Sequence, residues 1–143
     1  MLRYLRVTNL ALIDDLELEF EPGMNVVTGE TGAGKSLLMQ GLGLVLGSRG
    51  RAGLVRKDSG EAQVKAIFSA DGESGQDFLK DNDLLEGQEL TIQRSVTETG
   101  RNRVYLNGVP RTVGTLRQVS KGLIQIFGQH EHQALRDPNT ALY

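Results

Sequence analysis

Cysteine and tryptophan are absent from this 143-residue sequence, and aromatic residues make up only 5% of it. Without cysteines the chain has no disulfide framework and no thiolate ligands for a structural zinc ion. Long apolar runs are also missing, since residues 37–46 fall well short of the ~18 residues that a membrane-spanning helix needs. Residues 1–6 lack the apolar core of a signal peptide. These absences favour a cytoplasmic protein with no membrane contact.

The charge is nearly balanced overall but unevenly distributed. The net charge is −2, yet residues 1–90 carry nine Lys/Arg against fifteen Asp/Glu, and residues 91–143 carry seven against three. A basic field over the whole protein, which would indicate nucleic-acid binding, is therefore excluded, while a local basic surface is not. The length suffices for one domain with a buried core.

Residues 29–36 match the pattern G-x-x-x-x-G-K-[ST] of a phosphate-binding P-loop. Its glycines permit the backbone angles and the close approach that a phosphate group requires. Lys35 supplies a compact positive charge, and the Ser36 hydroxyl is a ligand for Mg²⁺. The loop should open a helix whose N-terminal N–H groups add to the anion site. The predicted nucleotide-binding residues are Gly29, Glu30, Thr31, Gly32, Ala33, Gly34, Lys35 and Ser36.

The neighbouring sequence has the order that this motif needs. Residues 24–28 are a short apolar run that predicts a buried strand. Residues 37–46 predict a buried helix, because apolar side chains recur at helical spacing at Leu38, Leu42, Val45 and Leu46. Strand, loop and helix together predict a nucleoside triphosphate site.

Alternation of apolar and polar residues predicts further strands at residues 2–7, 13–20, 62–68, 90–96 and 103–106. In the second of these, acidic residues occupy one face, which is typical of an antiparallel strand at a sheet edge. The dipeptide Asn107-Gly108 is a strong hairpin signal. Two antiparallel-type strands before the P-loop favour an ABC-type ATPase over a kinase or a small GTPase.

The remaining segments have weaker patterns. Residues 71–89 are acidic and polar, and we interpret them as an exposed excursion with one or two helical turns around residues 76–79. A helix begins at residues 110–112 with one apolar face, and Gly122 is its expected stop. Residues 123–127 then predict a short buried strand.

Two segments are rich in cations. The first is a glycine-rich loop that contains Arg49, Arg51, Arg56 and Lys57. This loop is either flexible and solvated, or it presents arginine to the phosphates of a nucleotide or nucleic acid. The second is the predicted hairpin, whose cations either form an ordinary solvated face or meet DNA phosphates; they are Arg94, Arg101, Arg103 and Arg111. For the hairpin, the charges alone favour the solvated face.

The strand predicted at residues 123–127 is followed by Gln129, His130, Glu131 and His132. Two histidines beside a glutamate suggest a metal site, but a structural zinc site needs more ligands and no cysteine is available. A glutamine directly after a buried strand is better interpreted as a ligand of Mg²⁺ or of water at the nucleotide. The two histidines keep no assigned role.

With these motifs in place, the chain resembles the N-terminal half of the head domain of the RecN family, the bacterial SMC-like proteins of double-strand-break repair. The resemblance is carried by residues 9–14, 29–36, 105–108 and 128–133, which span nearly the whole chain. The P-loop is shared by many families, whereas the last segment, in this order, is much more specific.

The resemblance implies an α/β P-loop NTPase fold, the N-terminal lobe of an ABC/SMC-type head. Its mixed sheet would carry an antiparallel β-subdomain around the P-loop helix, and the lobe would be incomplete without a C-terminal half. The cofactors would be ATP and Mg²⁺, with Lys35 and Gln129 in catalysis, Ser36 and Gln129 at the metal, and residues 128–133 as the Q-loop. Arg56 falls where SMC heads carry an arginine that reaches the nucleotide.

The resemblance also implies partners. We expect residues 1–143 to be one half of a head, followed by a coiled coil, with the C-terminal half of the same head returning beside it. A second head would join the first through bound ATP. Double-stranded DNA and its ends would be the substrate of repair and recombination. The protein would be cytoplasmic and associated with the nucleoid.

Two motifs of such a head are missing from the sequence. No Asp-Glu follows four apolar residues, as a Walker B strand requires, and no segment resembles the Leu-Ser-Gly-Gly signature. In the family both lie beyond the coiled coil. We therefore expect the complete head to hydrolyse ATP and this chain alone to be inactive.

Two alternatives remain open at this point. A self-contained P-loop kinase of a small molecule would need an acceptor lid and an internal Asp-bearing strand. A non-hydrolysing DNA-binding module would use the basic residues 94–117 and hold the nucleotide structurally.

Overall fold

The computed structural model describes residues 2–20, 32–70, 72–84 and 87–136. They form a six-stranded sheet in the order β2-β1-β3-β4-β5-β6, in which every pairing of neighbouring strands is antiparallel. The strands are β1 Leu2–Leu10, β2 Ile13–Glu19, β3 Glu61–Ser69, β4 Glu89–Thr97, β5 Asn102–Leu106 and β6 Val109–Arg111. The helices are α1 Gly32–Val45, α2 Glu73–Asp81 and α3 Val113–Arg136. The parallel component of the expected mixed sheet depended on residues 24–28, which lie outside the described residues.

The sheet follows from the alternation in the sequence. In β3, for example, Val64 and Ala66 are buried while Gln63 is exposed, so one face is apolar and the other polar. Helix α1 packs on the apolar face, and it approaches β1 so closely that a Cβ at Gly41 would lie 2.9 Å from Cγ2 of Val7. The five strands predicted by alternation are confirmed, and so is the edge position of β2.

The predicted Asn107-Gly108 hairpin is confirmed as the β5–β6 turn. Both residues have positive φ, 49° and 81°, as a two-residue turn of this twist requires. The Asn107 side chain also fastens the turn, because its Nδ2 donates to the Leu84 carbonyl at 2.8 Å and its Oδ1 accepts from the Thr91 N–H at 2.7 Å. Asparagine here is both a turn residue and a link to the start of β4.

The helical turns predicted around residues 76–79 are confirmed as part of α2, but the prediction that residues 71–89 form an exposed excursion is wrong. The segment contains α2, in which Phe78 and Leu79 are buried together with Leu84 beyond the helix. The acidic composition of this segment led to the wrong prediction. Helix α2 presents its charged residues to solvent and buries an apolar face against the core and α3.

The predicted strand at residues 123–127 and the stop at Gly122 are also wrong, since α3 continues from Val113 to Arg136. Thr112 caps its start, where the Thr115 N–H donates to Thr112 Oγ1 at 3.0 Å. Leu116, Val119 and Leu123 are buried at helical spacing. A short run with four apolar residues in five, such as residues 123–127, fits a buried helix as well as a buried strand. The run continues the apolar face of Leu116 and Val119, and that continuity indicates a helix. Within the described ranges, no helix is long and apolar enough to cross a membrane.

Gly122 serves a close contact between helices instead of a helix end. A Cβ there would lie 2.7 Å from Cε2 of the Phe78 ring.

We expect Gly122→Ala to destabilise the protein by about 1–3 kcal/mol, because the ring must move in a packed core. Gly114 on the same helix is the matched control, since a Cβ there meets only Thr112 Oγ1, at 3.7 Å. Gly114→Ala should stabilise by roughly 0.5–1 kcal/mol through helix propensity. Thermal unfolding of both variants tests this, and equal midpoints would contradict the contact.

Candidate nucleotide-binding site

Helix α1 begins inside the predicted P-loop motif. The backbone is helical from Gly32 onward, and Ser36 lies exposed one turn into the helix. The first N–H groups of a helix have no partner within it, and the helix dipole makes that end positive, so the described start of α1 fits a phosphate group. Gly29, Glu30 and Thr31 lie outside the described residues. So do the side chains of residues 32–35, Lys35 among them, and the roles assigned to all of these remain predictions.

The opposite end of α1 is held by a buried arginine. Arg94 in β4 is 2% exposed. Its Nη1 donates to the carbonyls of Leu44 at 2.8 Å and Ser48 at 2.5 Å, and its Nη2 donates to Asn102 Oδ1 at 2.9 Å. The prediction that Arg94 shares a solvated hairpin face is therefore wrong. Alternation contained the correct signal, because Arg94 continues the inward series of Leu90 and Ile92.

The Arg94 guanidinium has no ion pair with a carboxylate among the residues that the structure describes. Burial lowers the pKa of Arg94, and repulsion by Arg117 lowers that pKa further. The cost of burying the Arg94 charge is offset by hydrogen bonds to carbonyls at the negative end of the α1 dipole, where a cation is stabilising. Arg94 thus fixes the axis of the helix whose other end is the predicted phosphate site.

Two more side chains fasten the loop that leaves α1. Arg117 Nε donates to the Gly47 carbonyl at 2.9 Å, and Asn102 Nδ2 donates to the Gly50 carbonyl at 3.2 Å. Gly47 has a φ of +100°, which an L side chain rarely adopts. Residues 47–50 are therefore tied to β5 and α3 by hydrogen bonds.

Arg56 is held beside the β1–β2 turn. The Ala11 N–H donates to the Leu54 carbonyl at 2.7 Å, and the Arg56 N–H donates to the Asn9 carbonyl at 2.9 Å. The exposed Arg56 side chain reaches the Leu12 carbonyl at 3.4 Å through Nη1. The structure thus gives Arg56 a fixed backbone and an accessible guanidinium, and its contact with a nucleotide remains a prediction.

Gln129, His130 and His132 lie on the backbone of α3, and their side chains lie outside what the structure describes. The premise that Gln129 follows a strand is wrong, because this stretch is helical. Over the described ranges, no three His, Cys, Asp or Glu residues come close enough together to hold a metal ion. The roles of Gln129 and Ser36 at Mg²⁺ are predictions, and the exposed Ser36 at the start of α1 fits its part.

A family model described as AAA domain matches residues 4–129. The chain belongs to this AAA domain family. DNA repair protein RecN of Vibrio cholerae is 41% identical over 143 residues, which cover 99% of this chain and 26% of that protein. RecN of Bacillus subtilis is 32% identical over 99% of this chain and 25% of its own length. The resemblance to RecN is therefore confirmed, and the chain spans about a quarter of the length of these relatives.

Solved structures of SMC heads share the fold. One, described as "Structural biochemistry of ATP-driven dimerization and DNA stimulated activation of SMC ATPases", superposes with a TM-score of 0.69 at 19% identity, covering 90% of this chain and 83% of that chain. The SMC head domain from Thermotoga maritima gives 0.61 at 22% identity, covering 82% and 41%. These likenesses confirm the expected SMC-type head fold.

Proposed function

We propose that this chain is the ATP-binding half of an SMC-like ATPase head that acts in the repair of DNA double-strand breaks and in recombination. The observation that carries the proposal is the start of α1 inside the motif of residues 29–36, in a chain belonging to an AAA domain family. Supporting it, the RecN relatives are named DNA repair proteins, and the similar solved structures include SMC ATPases.

The nucleotide would lie at the N-terminal end of α1. Residues 29–36 would hold the triphosphate through backbone N–H groups, and Lys35 would neutralise it. Ser36 and Gln129 would bind Mg²⁺, which lowers the cost of developing charge during phosphoryl transfer. Arg56 would reach the nucleotide from the side of the β1–β2 turn. Gln129 would orient the attacking water.

Hydrolysis would need more than this chain. Neither a Walker B strand nor a signature motif occurs in the sequence. We propose that a C-terminal half of the same head, reached through a coiled coil, supplies the acidic strand. A second head, joined through two ATP molecules, would contribute the signature motif. Binding energy would then drive head dimerisation, coupled to DNA binding and tethering at the nucleoid.

We expect residues 1–143 alone to show no multiple-turnover ATP hydrolysis, because the general base and the capping motif are absent. Steady-state phosphate release from this segment should equal that of its Lys35→Ala variant, which measures contaminating activity. The full-length protein, assayed beside it, should turn over. Lys35-dependent turnover by the segment alone would refute the composite site.

A further inference from the structure

Acidic and basic residues lie at opposite edges of the sheet. Strand β2, at one edge of the sheet, carries four acidic residues and no cation. At the other edge, β5, β6 and the described start of α3 contain no acidic residue. The sequence has no Asp or Glu at all between residues 31 and 57 or between residues 99 and 130.

These two acid-free stretches meet in the fold. The Gly50 carbonyl accepts a hydrogen bond from the side chain of Asn102, the neighbour of Arg101. The Gly47 carbonyl accepts one from the side chain of Arg117. Lys121 lies one turn beyond Arg117 on the exposed face of α3. These hydrogen bonds bring the backbone of residues 47–50 beside β5 and α3. The exposed cations on these neighbouring segments are called here the arginine surface: Arg49, Arg51, Arg101, Arg117 and Lys121.

The cations of the arginine surface are uncompensated. In the parts of the chain that the structure describes, the recorded ion pair is Arg6 with Asp15, at 3.0 Å near the acidic edge, and no residue of the arginine surface has one. Surface cations that have no carboxylate partner keep their field for an external anion. Four of the five are arginines, whose planar forks match phosphate oxygens in pairs.

We propose that the arginine surface binds the phosphate backbone of double-stranded DNA. This rests on the proposed function and adds to it the surface that meets the DNA. A protein partner fits less well, because interface cores are enriched in aromatic and apolar residues. The exposed large apolar side chains among the described residues are Leu12 and Val109, and neither belongs to this surface.

The test is the salt dependence of duplex binding by the full-length protein. Arg49, Arg51 and Arg101 have exposed side chains that make no recorded hydrogen bond, so the triple Arg→Gln variant should fold normally. Each lost phosphate contact should make the slope of log K against log salt shallower by about 0.9. We expect a decrease of roughly 2 to 3 in the slope, with the same loss of affinity on two duplexes of unrelated sequence.

The matched control removes three other cations, Lys57, Lys65 and Lys80, as Lys→Gln, and should leave the slope nearly unchanged. An unchanged slope in the arginine variant would overturn the proposal, as would equal losses in both variants. Equally strong competition by polyglutamate would overturn it in favour of an acidic protein partner. ATP affinity is measured on the same samples. Failure of ATP binding in the wild type would refute the proposed function, whereas intact ATP binding with an unchanged slope would refute only the arginine surface.

Discussion

Lys35→Ala should abolish ATP binding by the full-length protein at concentrations where the wild type is saturated. The lysine ammonium is the one side-chain cation within residues 29–36, so its truncation would leave the bound phosphates without a cationic side chain from the motif. Truncating one member of a desolvated charge pair costs about 2–5 kcal/mol, which is roughly 30-fold to several thousand-fold in affinity. Equilibrium titration with a fluorescent ATP analogue measures the loss.

The matched control for this variant is Lys57→Ala. Lys57 is exposed, follows Arg56 in the loop and lies outside the motif, so its truncation should change ATP affinity by less than about threefold. Undiminished affinity in Lys35→Ala would show that the nucleotide binds elsewhere. Equal losses of ATP affinity in both variants would show that the loss reflects the overall charge of the protein and not the position of Lys35.

Arg94→Met should loosen the attachment of α1 to the sheet. The substitution preserves the length of the apolar stem but leaves the carbonyls of Leu44 and Ser48 and the Asn102 Oδ1 without their donors. Each unsatisfied buried acceptor costs about 1–3 kcal/mol, and breaking a buried charged network costs about 3–5 kcal/mol. Hydrogen exchange should therefore report a decrease of about 3–5 kcal/mol in the opening free energy of amides in α1 and β4.

Two further variants separate the role of the Arg94 network from that of charge. Arg103→Met removes an arginine from the neighbouring strand, where the side chain is exposed on the polar face, and should change stability by no more than about 0.5 kcal/mol. Arg94→Lys keeps the charge but loses the fork, so it should recover only part of the protection. Full protection in Arg94→Met would contradict the assignment of the network as the anchor of α1.

Strands β1 to β5 were predictable because their signal is local. Period-two alternation and the Asn107-Gly108 turn determine side-chain direction within a few residues, and the structure confirms them. A helix after the P-loop was predictable for the same reason, although α1 begins at Gly32, earlier than the predicted residues 37–46.

Several of the errors concern residues whose role depends on a distant part of the chain. Gly122 faces Phe78 from another helix, which nothing near Gly122 in sequence reveals. Residues 123–127 are apolar enough for either a strand or a helix, and only their continuation of the apolar face of Leu116 and Val119 indicates the helix. Arg94 was assigned to the surface because it is charged, whereas its partners, Leu44 and Ser48, lie 50 and 46 residues away.

A structure of the full-length protein with Mg²⁺ and a non-hydrolysable ATP analogue would test most directly the proposal that this chain is the phosphate-holding half of a composite ATPase. We expect the β- and γ-phosphates to contact backbone N–H groups of residues 32–36 and the Lys35 ammonium, with Ser36 on the metal. We also expect the carboxylate facing the γ-phosphate to come from beyond residue 143. A nucleotide bound away from the start of α1, or a catalytic carboxylate from within residues 1–143, would contradict the proposal.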